Sequence, residues 1–363
     1  MRGAGEYVPS LMEESYTSTG RKFWAHPEQM EAYRLGLSPT AISTHVSPEG
    51  ACNLSCPYCS VSKRMTHARI DFALIETYLY QLKQLGLKAV IFTGGGEPTA
   101  YPEFNELVQY ARHDLGLKCA LITNGTLARR VEDATWRALS WLRVSVNFFP
   151  EWEERIHIPT EKLDPACVLG LSTVFTDLHE STDELKEGWL PLYYRVAALA
   201  DRLNAKYVRV LPNCLLPQEQ LLQRHDRLNG IFLAIGDKRF FHQFKIHGAP
   251  SSNYCHQAHF RPYLSEEPNP WDGTPGTVFP CDSVVLNPGE MNSYGHQKFM
   301  EKYAICRPGE ITKFMELKRK QNFYPPLDCK GCVFTKNVEM LDGWQRGATP
   351  FSAPPKTEHE EFV

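Results

Sequence analysis

The stretch Ala51-Cys-Asn-Leu-Ser-Cys-Pro-Tyr-Cys-Ser60 is the one around which the rest of this sequence is organised. It places Cys52, Cys56 and Cys59 in a C-x3-C-x2-C spacing, so three thiolates lie on one short loop. A structural zinc site takes four protein ligands, whereas an iron-sulfur cube held by three cysteines keeps one iron open for a ligand that is not protein. The loop therefore predicts a cluster with an open iron, with a zinc knuckle as the alternative.

This cysteine spacing, with Tyr58 just before the last cysteine, resembles the signature of the radical S-adenosylmethionine (radical SAM) enzymes. The resemblance implies a 4Fe-4S cluster on Cys52, Cys56 and Cys59, whose open iron chelates the amino and carboxylate groups of SAM. It also implies reductive cleavage of SAM to a 5'-deoxyadenosyl radical. The electrons are then expected from a reductant such as flavodoxin or ferredoxin.

The composition is that of an ordinary globular protein, with 42% hydrophobic and 22% charged residues among 363. Lys and Arg number 39 against 42 for Asp and Glu, which gives a net charge of -3. Charge therefore gives no support to a nucleic-acid partner, although a local basic patch stays possible. No charged-then-apolar leader and no run of about 18 apolar residues occur, so we expect a cytoplasmic protein without a membrane partner.

The chain after the cysteine loop alternates helical and strand-like patterns. Strands are predicted over residues 40–46, 88–93, 118–123, 142–147, 168–176 and 207–211. Six strand-helix repeats with short connections predict a parallel sheet, because parallel neighbours need crossover helices. Six units are fewer than the eight of a closed barrel. The predicted fold is α/β, a partial (β/α)6 TIM-like barrel open on one side, which the radical SAM resemblance also implies.

A glycine-rich turn, Thr93-Gly-Gly-Gly-Glu-Pro-Thr99, follows the second predicted strand. Glycines let the backbone turn sharply and approach a ligand closely. Gly95, Gly96 and Glu97 match the Gly-Gly-Glu motif of the radical SAM family, which implies contact with the amino group of SAM. An ordinary strand-to-helix turn is the alternative.

Four polar residues lie at or near the ends of later strands. Asn124 ends the third strand, and Ser145 and Asn147 share one face of the fourth, from which they are predicted to reach the ribose or carboxylate of SAM. Arg209, on the sixth strand, is predicted to face SAM or the substrate. Ordinary strand-end hydrogen bonding, or pairing of Arg209 with a barrel carboxylate, is the alternative. The sequence names no catalytic acid or base.

Five cysteines fall after residue 250. One upstream cysteine, one on a hairpin and a closing C-x2-C resemble the twitch domain, the shortened form of the SPASM extension of some radical SAM enzymes. The resemblance implies an auxiliary 4Fe-4S cluster on Cys255, Cys281, Cys329 and Cys332. Cys306 is a competing ligand in place of Cys255, and a zinc ribbon is the structural alternative.

These patterns divide the chain into four parts. The predicted parts are an N-terminal leader (1–38), the radical SAM partial barrel (39–243), a small Cys-rich auxiliary iron-sulfur domain (244–346) and a disordered tail (347–363). Within the third part, residues 277–286 are predicted to form one strand of a β-hairpin that carries Cys281.

The predicted function is a radical SAM enzyme, an oxidoreductase or isomerase, that abstracts a hydrogen atom from a small polar substrate. An amino acid, an amino sugar and a modified nucleoside all suit a single auxiliary cluster. The alternatives are an isomerase that acts on an amino-acid-modified base in phage DNA, a peptide-modifying maturase, and a zinc-binding protein without enzymatic activity.

Overall fold

The computed structural model of the chain describes residues 11–17, 20–175, 189–243, 254–286, 301–321, 332–353 and 357–363. Within these ranges, nine strands form one sheet. The strands are β1 (Ser43–Val46), β2 (Ala89–Phe92), β3 (Lys118–Thr123), β4 (Leu139–Val146), β5 (Val168–Phe175), β6 (Tyr207–Pro212), β7 (Phe240–His242), β8 (Tyr263–Pro268) and β9 (Pro275–Phe279). Their order in the sheet is β7-β6-β5-β4-β3-β2-β1-β8-β9.

The first seven strands pair in parallel with their neighbours in the chain. The sheet has two free ends, so the barrel does not close. The predicted partial α/β barrel is therefore confirmed. Two strands beyond the predicted six also pair in parallel, β7 with β6 and β8 with β1.

Ten α-helices lie in the described ranges. They are α1 (Leu11–Tyr16), α2 (Pro27–Arg34), α3 (Phe72–Gln84), α4 (Phe104–Gln109), α5 (Asp133–Ala138), α6 (Trp152–Arg155), α7 (Trp189–Arg202), α8 (Gln218–Ile235), α9 (Ile311–Gln321) and α10 (Thr335–Gln345). The Asp71 carboxylate caps α3 by accepting from the Ala73 N–H, and Ile75, Leu79 and Leu82 are buried at helical spacing. Across the described residues, no helix has the length and apolar character that crossing a bilayer requires.

The Cys-rich part of the chain is joined to the barrel through the sheet itself. Strand β8 pairs in parallel with β1, and β9 pairs antiparallel with β8. The predicted hairpin is thus present, but its strand ends at Phe279 and does not continue to residue 286. Pro280 explains the difference, because proline has no N–H to donate to a strand ladder. Cys281 lies in the turn that follows.

The end of the tail is packed, contrary to the predicted disorder of residues 347–363. Phe362 is buried with its ring 5.5 Å from that of Trp141, and Lys118 pairs with Glu361. Val363 is 1% exposed and belongs to an apolar cluster with Phe23. The acidic composition up to residue 361 predicted solvation, but the two apolar side chains that follow bury at the N-terminal ends of the strands.

Candidate functional site

The cysteine loop follows the carboxyl end of β1. Its three thiols, Cys52, Cys56 and Cys59, line one cavity of about 220 Å3 together with the glycine-rich turn. The Cys59 N–H donates to the Cys56 carbonyl at 3.1 Å, which folds the loop back on itself. Arg64 approaches the Cys59 sulfur at 3.8 Å and the Gly50 carbonyl at 2.7 Å, so a cation lies beside the thiols.

The donor set of this cavity fits a three-cysteine cube better than a single metal ion. Within the described parts of the chain, His, Cys, Asp and Glu side chains form no group of three that could hold one ion. An iron-sulfur cube takes one thiolate per iron, so its ligands face a shared cavity rather than a single point. Burial, followed by the charges of Cys59 and Cys52, raises the pKa of Cys56 to about 11. The charges of the neighbouring thiols therefore act in the same direction as burial.

The glycine-rich turn packs against the cysteine loop through backbone contacts. The Gly96 N–H donates to the Glu49 carbonyl at 3.1 Å, and the Glu97 N–H donates to the Ala51 carbonyl at 2.8 Å. A Cβ atom added at Gly96 would overlap both carbonyl oxygens. Only glycine therefore permits this approach, and the turn fixes the position from which the cysteine loop begins.

The Glu97 carboxylate faces the end of β3. It accepts hydrogen bonds from the Thr99 N–H and hydroxyl (3.2 and 2.7 Å), the Thr123 hydroxyl (2.5 Å) and the Asn124 N–H (2.8 Å). Burial raises the pKa of Glu97, and these four donors act in the opposite direction. The side chain fastens the turn to β3, so contact with the amino group of SAM stays a prediction for the turn as a whole.

Tyr58, Asn124, Ser145 and Asn147 lie around the same cavity, as the sequence predicts. The Asn124 amide nitrogen lies 3.0 Å from Asn53 Oδ1 and 3.9 Å from the Cys52 sulfur. The Tyr58 hydroxyl is buried, and no described residue forms a hydrogen bond with it. The structure thus brings these residues together, and their contact with SAM stays a prediction.

Glu266 is a member of this site that sequence reasoning missed. Its carboxylate is 1% exposed and lies so near the turn that a Cβ atom on Gly95 would overlap Oε1. Within the described part of the chain Oε1 has no hydrogen-bond partner, and burial raises the pKa of Glu266 to about 7. No local motif marks this residue, because only the pairing of β8 with β1 brings it beside the glycine-rich turn.

Arg209 lines a second cavity of about 220 Å3, which the strands of the partial barrel surround together with residues of the leader and the tail. Its guanidinium donates to the Ser172 hydroxyl at 3.0 Å and to Gln243 Oε1 at 3.0 Å. Thr93 and Ile122 line both this cavity and the cysteine-lined one, so the two adjoin. This placement fits the predicted substrate contact better than the predicted SAM contact.

The C-terminal cysteines are only partly described. Cys255 is buried at the start of a short 3-10 helix, while Cys281 and Cys332 are half-buried. Cys329 lies outside the described residues, so the auxiliary ligand set stays a prediction. Cys306 packs in the main hydrophobic core, and its backbone forms an isolated β-bridge with that of Val278. This is the environment of a small buried hydrophobic residue.

Residues 46–160 match the family model described as the Radical SAM superfamily. This range contains the cysteine loop, the glycine-rich turn and the polar ends of β3 and β4. The chain carries a radical SAM domain. The resemblance predicted from the cysteine loop is therefore confirmed, and SAM and a 4Fe-4S cluster are the cofactors of this superfamily.

The relatives match this chain over short stretches only. The PqqA peptide cyclase of Gluconobacter oxydans is 45% identical over 78 residues, 21% of this chain and 21% of that protein. An S-adenosylmethionine-dependent nucleotide dehydratase of Selenomonas ruminantium is 33% identical over 86 residues, 24% of this chain and 30% of that protein. The chain thus covers less than a third of either relative. The structure of Streptococcus suis SuiB bound to SAM is 14% identical over 75% of this chain and 68% of that one, with a TM-score of 0.46.

Proposed function

We propose that this radical SAM enzyme modifies a peptide, using SAM that it cleaves reductively. The observation that carries the cleavage is the cavity shared by Cys52, Cys56, Cys59 and the glycine-rich turn. A 4Fe-4S cluster held by these three cysteines would supply the electron for reductive cleavage of SAM, and thereby the chemistry for removing a hydrogen atom from the substrate. The peptide is suggested by the name of the Gluconobacter relative, which is a peptide cyclase.

The residues of the chain orient and enclose the cofactors in this proposal. Cys52, Cys56 and Cys59 would each hold one iron, and Glu266, whose carboxylate lies against Gly95, would accept a hydrogen bond from the amino group of SAM. Ser145 and Asn147 border the same cavity at the end of β4, where they are available to the ribose or carboxylate. A carboxylate beside an ammonium group is a charge-assisted hydrogen-bond acceptor.

The predicted small polar substrate has less support than the peptide alternative. Since the matched stretches cover less than a third of each relative, the substrates of those relatives are carried to this chain only as a proposal.

The test of cleavage is 5'-deoxyadenosine formation by anaerobically reconstituted protein with dithionite. We expect Cys56→Ala to abolish it, because one iron of the cube loses its thiolate. Cys167→Ala is the matched control, since Cys167 is a half-buried cysteine outside the cavity. Full cleavage by the Cys56→Ala protein would contradict the assignment.

Iron and sulfide analysis tests the auxiliary cluster separately. About eight irons in the wild type, falling to about four in a variant without Cys52, Cys56 and Cys59, would support two cubes. About four irons falling to none would overturn the auxiliary cluster. For the substrate, synthetic peptides and a pool of amino acids and nucleosides are compared for deuterium transfer into 5'-deoxyadenosine. Transfer only from the small-molecule pool would contradict the peptide.

A further inference from the structure

The cavity inside the sheet carries an excess of buried positive charge. Lys22, Arg143, Arg209 and Arg261 line it, and Asp282 is the single carboxylate among the lining residues that the structure describes. Lys22, Arg143 and Arg261 are each no more than 6% exposed. Buried cations ordinarily have anionic partners, because the loss of hydration is otherwise uncompensated. Four cations against one carboxylate therefore need an explanation.

The two arginines on the strands are held by neutral groups. The Arg143 guanidinium donates to the Tyr207 hydroxyl at 3.1 Å and to a backbone carbonyl of the leader. Arg209 donates to Ser172 and Gln243. No described carboxylate lies within ion-pair distance of either guanidinium. Burial, followed by the charge of Arg143, lowers the pKa of Arg209 to about 9, so the cations repel one another.

Lys22 enters the same cavity from the leader. Its ammonium group donates to the backbone carbonyls of Ser15, His359 and Phe362 at 2.9 to 3.4 Å. These acceptors are neutral, and the charges of Glu361 and Glu360 act on the ammonium group without an ion pair to it among the described residues. Burial, followed by the charge of Arg143, lowers the pKa of Lys22 to about 7.

Arg261 supplies the donor that points to a ligand. One terminal nitrogen, Nη2, lies 3.0 Å from the ring of His45 and 3.4 Å from Asp282. The other, Nη1, is buried and has no hydrogen-bond partner among the residues that the structure describes. A buried guanidinium N–H without an acceptor is costly, so this nitrogen is placed to receive one from outside the chain.

Aromatic rings fix the direction of two guanidinium groups before any ligand arrives. Arg143 lies 4.9 Å from the ring centre of Trp141, and Arg261 lies 5.2 Å from that of Phe334. Stacking on an aromatic face holds the planar group while its N–H edges stay available. The cavity is therefore preorganised for a planar or tetrahedral oxyanion.

We infer that this cavity binds a carboxylate or phosphate group of the substrate, through Arg143, Arg209 and Arg261. The inference rests on the proposed SAM chemistry, because the cavity adjoins the cysteine-lined one along Thr93 and Ile122. Anchoring the oxyanion there turns the rest of the substrate toward SAM. A volume of about 220 Å3 accommodates an acidic side chain of a peptide or the phosphate end of a small molecule.

The test is direct binding of two probes to the reconstituted protein with an oxidised cluster and saturating SAM. Inorganic phosphate and glutarate are titrated by calorimetry, with glutaramide as the neutral analogue. We expect the wild type to bind one or both anions and not glutaramide. Arg209→Gln and Arg261→Gln should weaken binding by roughly tenfold or more. Arg112→Gln, at an exposed arginine that does not line the cavity, should bind as the wild type does.

Thermal unfolding in chloride buffer separates ligand binding from a structural role. If the role of Arg209 is to bind an anion, its buried charge is uncompensated in the ligand-free protein. The Arg209→Gln protein should then unfold at or above the wild-type temperature. A lower temperature for Arg209→Gln would overturn the inference, as would wild type that binds neither probe. Binding of phosphate alone identifies a phosphorylated substrate, and binding of glutarate alone identifies a carboxylate. SAM cleavage is measured on the same preparations, so cleavage without anion binding refutes this inference and leaves the proposed function standing.

Discussion

Replacing Glu97 by glutamine is the sharpest test of how the radical SAM site is held together. The carboxylate accepts from two backbone N–H groups, Thr99 on one oxygen and Asn124 on the other. A side-chain amide offers one oxygen and one donor. In either amide orientation, one of these two backbone N–H groups therefore faces another donor. Thr99 and Thr123 also donate hydroxyl protons to the carboxylate, but hydroxyl groups can rotate to accept instead.

The expected loss follows from the number of backbone bonds broken. One buried hydrogen bond to a charged group contributes about 1.5–3 kcal/mol. Because the two N–H groups are close to the glycine-rich turn and the end of β3, the loss is local. We therefore expect amide exchange to accelerate roughly ten- to a hundredfold in one or both of these segments.

The assay is hydrogen exchange followed by mass spectrometry on peptides spanning residues 93–101 and 121–126, at pH 8 and without SAM. Glu103→Gln is the matched control, because Glu103 is exposed and its side chain makes no capping hydrogen bond. Exchange in Glu97→Gln within about twofold of the wild type, in both segments, would refute the inferred scaffold role. Faster exchange in the Glu103→Gln protein would show that the assay reports a general effect.

Three further perturbations test other parts of the structure. The pKa of Glu266 is raised to about 7 in the folded protein, so its stabilising contribution is full below its ordinary pKa and is lost as pH rises through 7. In urea unfolding, the free energy of unfolding of the wild type should fall by about 1.4 kcal/mol between pH 6 and 8.5. The Glu266→Gln protein should not show this fall. A Cβ atom at Gly170 would overlap the ring of Tyr207, so Gly170→Ala should destabilise the protein by about 1–3 kcal/mol. Gly230 has open space around it, so Gly230→Ala should be neutral or stabilising. Equal urea-unfolding midpoints for the two variants would contradict this packing. Val363→Ser should lower the unfolding free energy by about 2 kcal/mol, and an unchanged value would mean that the packed end of the tail adds no stability.

The sequence predicts the features that rest on short-range patterns. The cysteine spacing, the glycine-rich turn and the alternation of apolar strands with helices are all local, and each lies where the sequence predicts it. Polar residues at the carboxyl ends of parallel strands, such as Asn124 and Ser145, also meet as expected. Parallel strands bring their carboxyl ends to one edge, so this convergence follows from topology alone.

The features that the sequence does not reveal depend on contacts between distant segments. Glu266 and Arg261 carry no motif and reach the site because β8 pairs with β1. Lys22 lies in a stretch that reads as a polar leader, yet its ammonium group is buried under the tail. The tail itself reads as disordered because its composition is acidic up to residue 361. In each case a long-range contact overrides the local composition, which pattern reading does not capture.

The pairing of β8 with β1 also constrains how the chain is made. Strand β1 leaves the ribosome early, but its neighbour on one side is synthesised more than two hundred residues later. During that interval β1 presents an open edge, and an unpaired edge strand is a site for pairing with other chains. A fragment that ends at residue 243 would retain this edge permanently. Recombinant work should therefore express the barrel together with residues up to at least Phe279, slowly and at low temperature, to keep the nascent edge from aggregating.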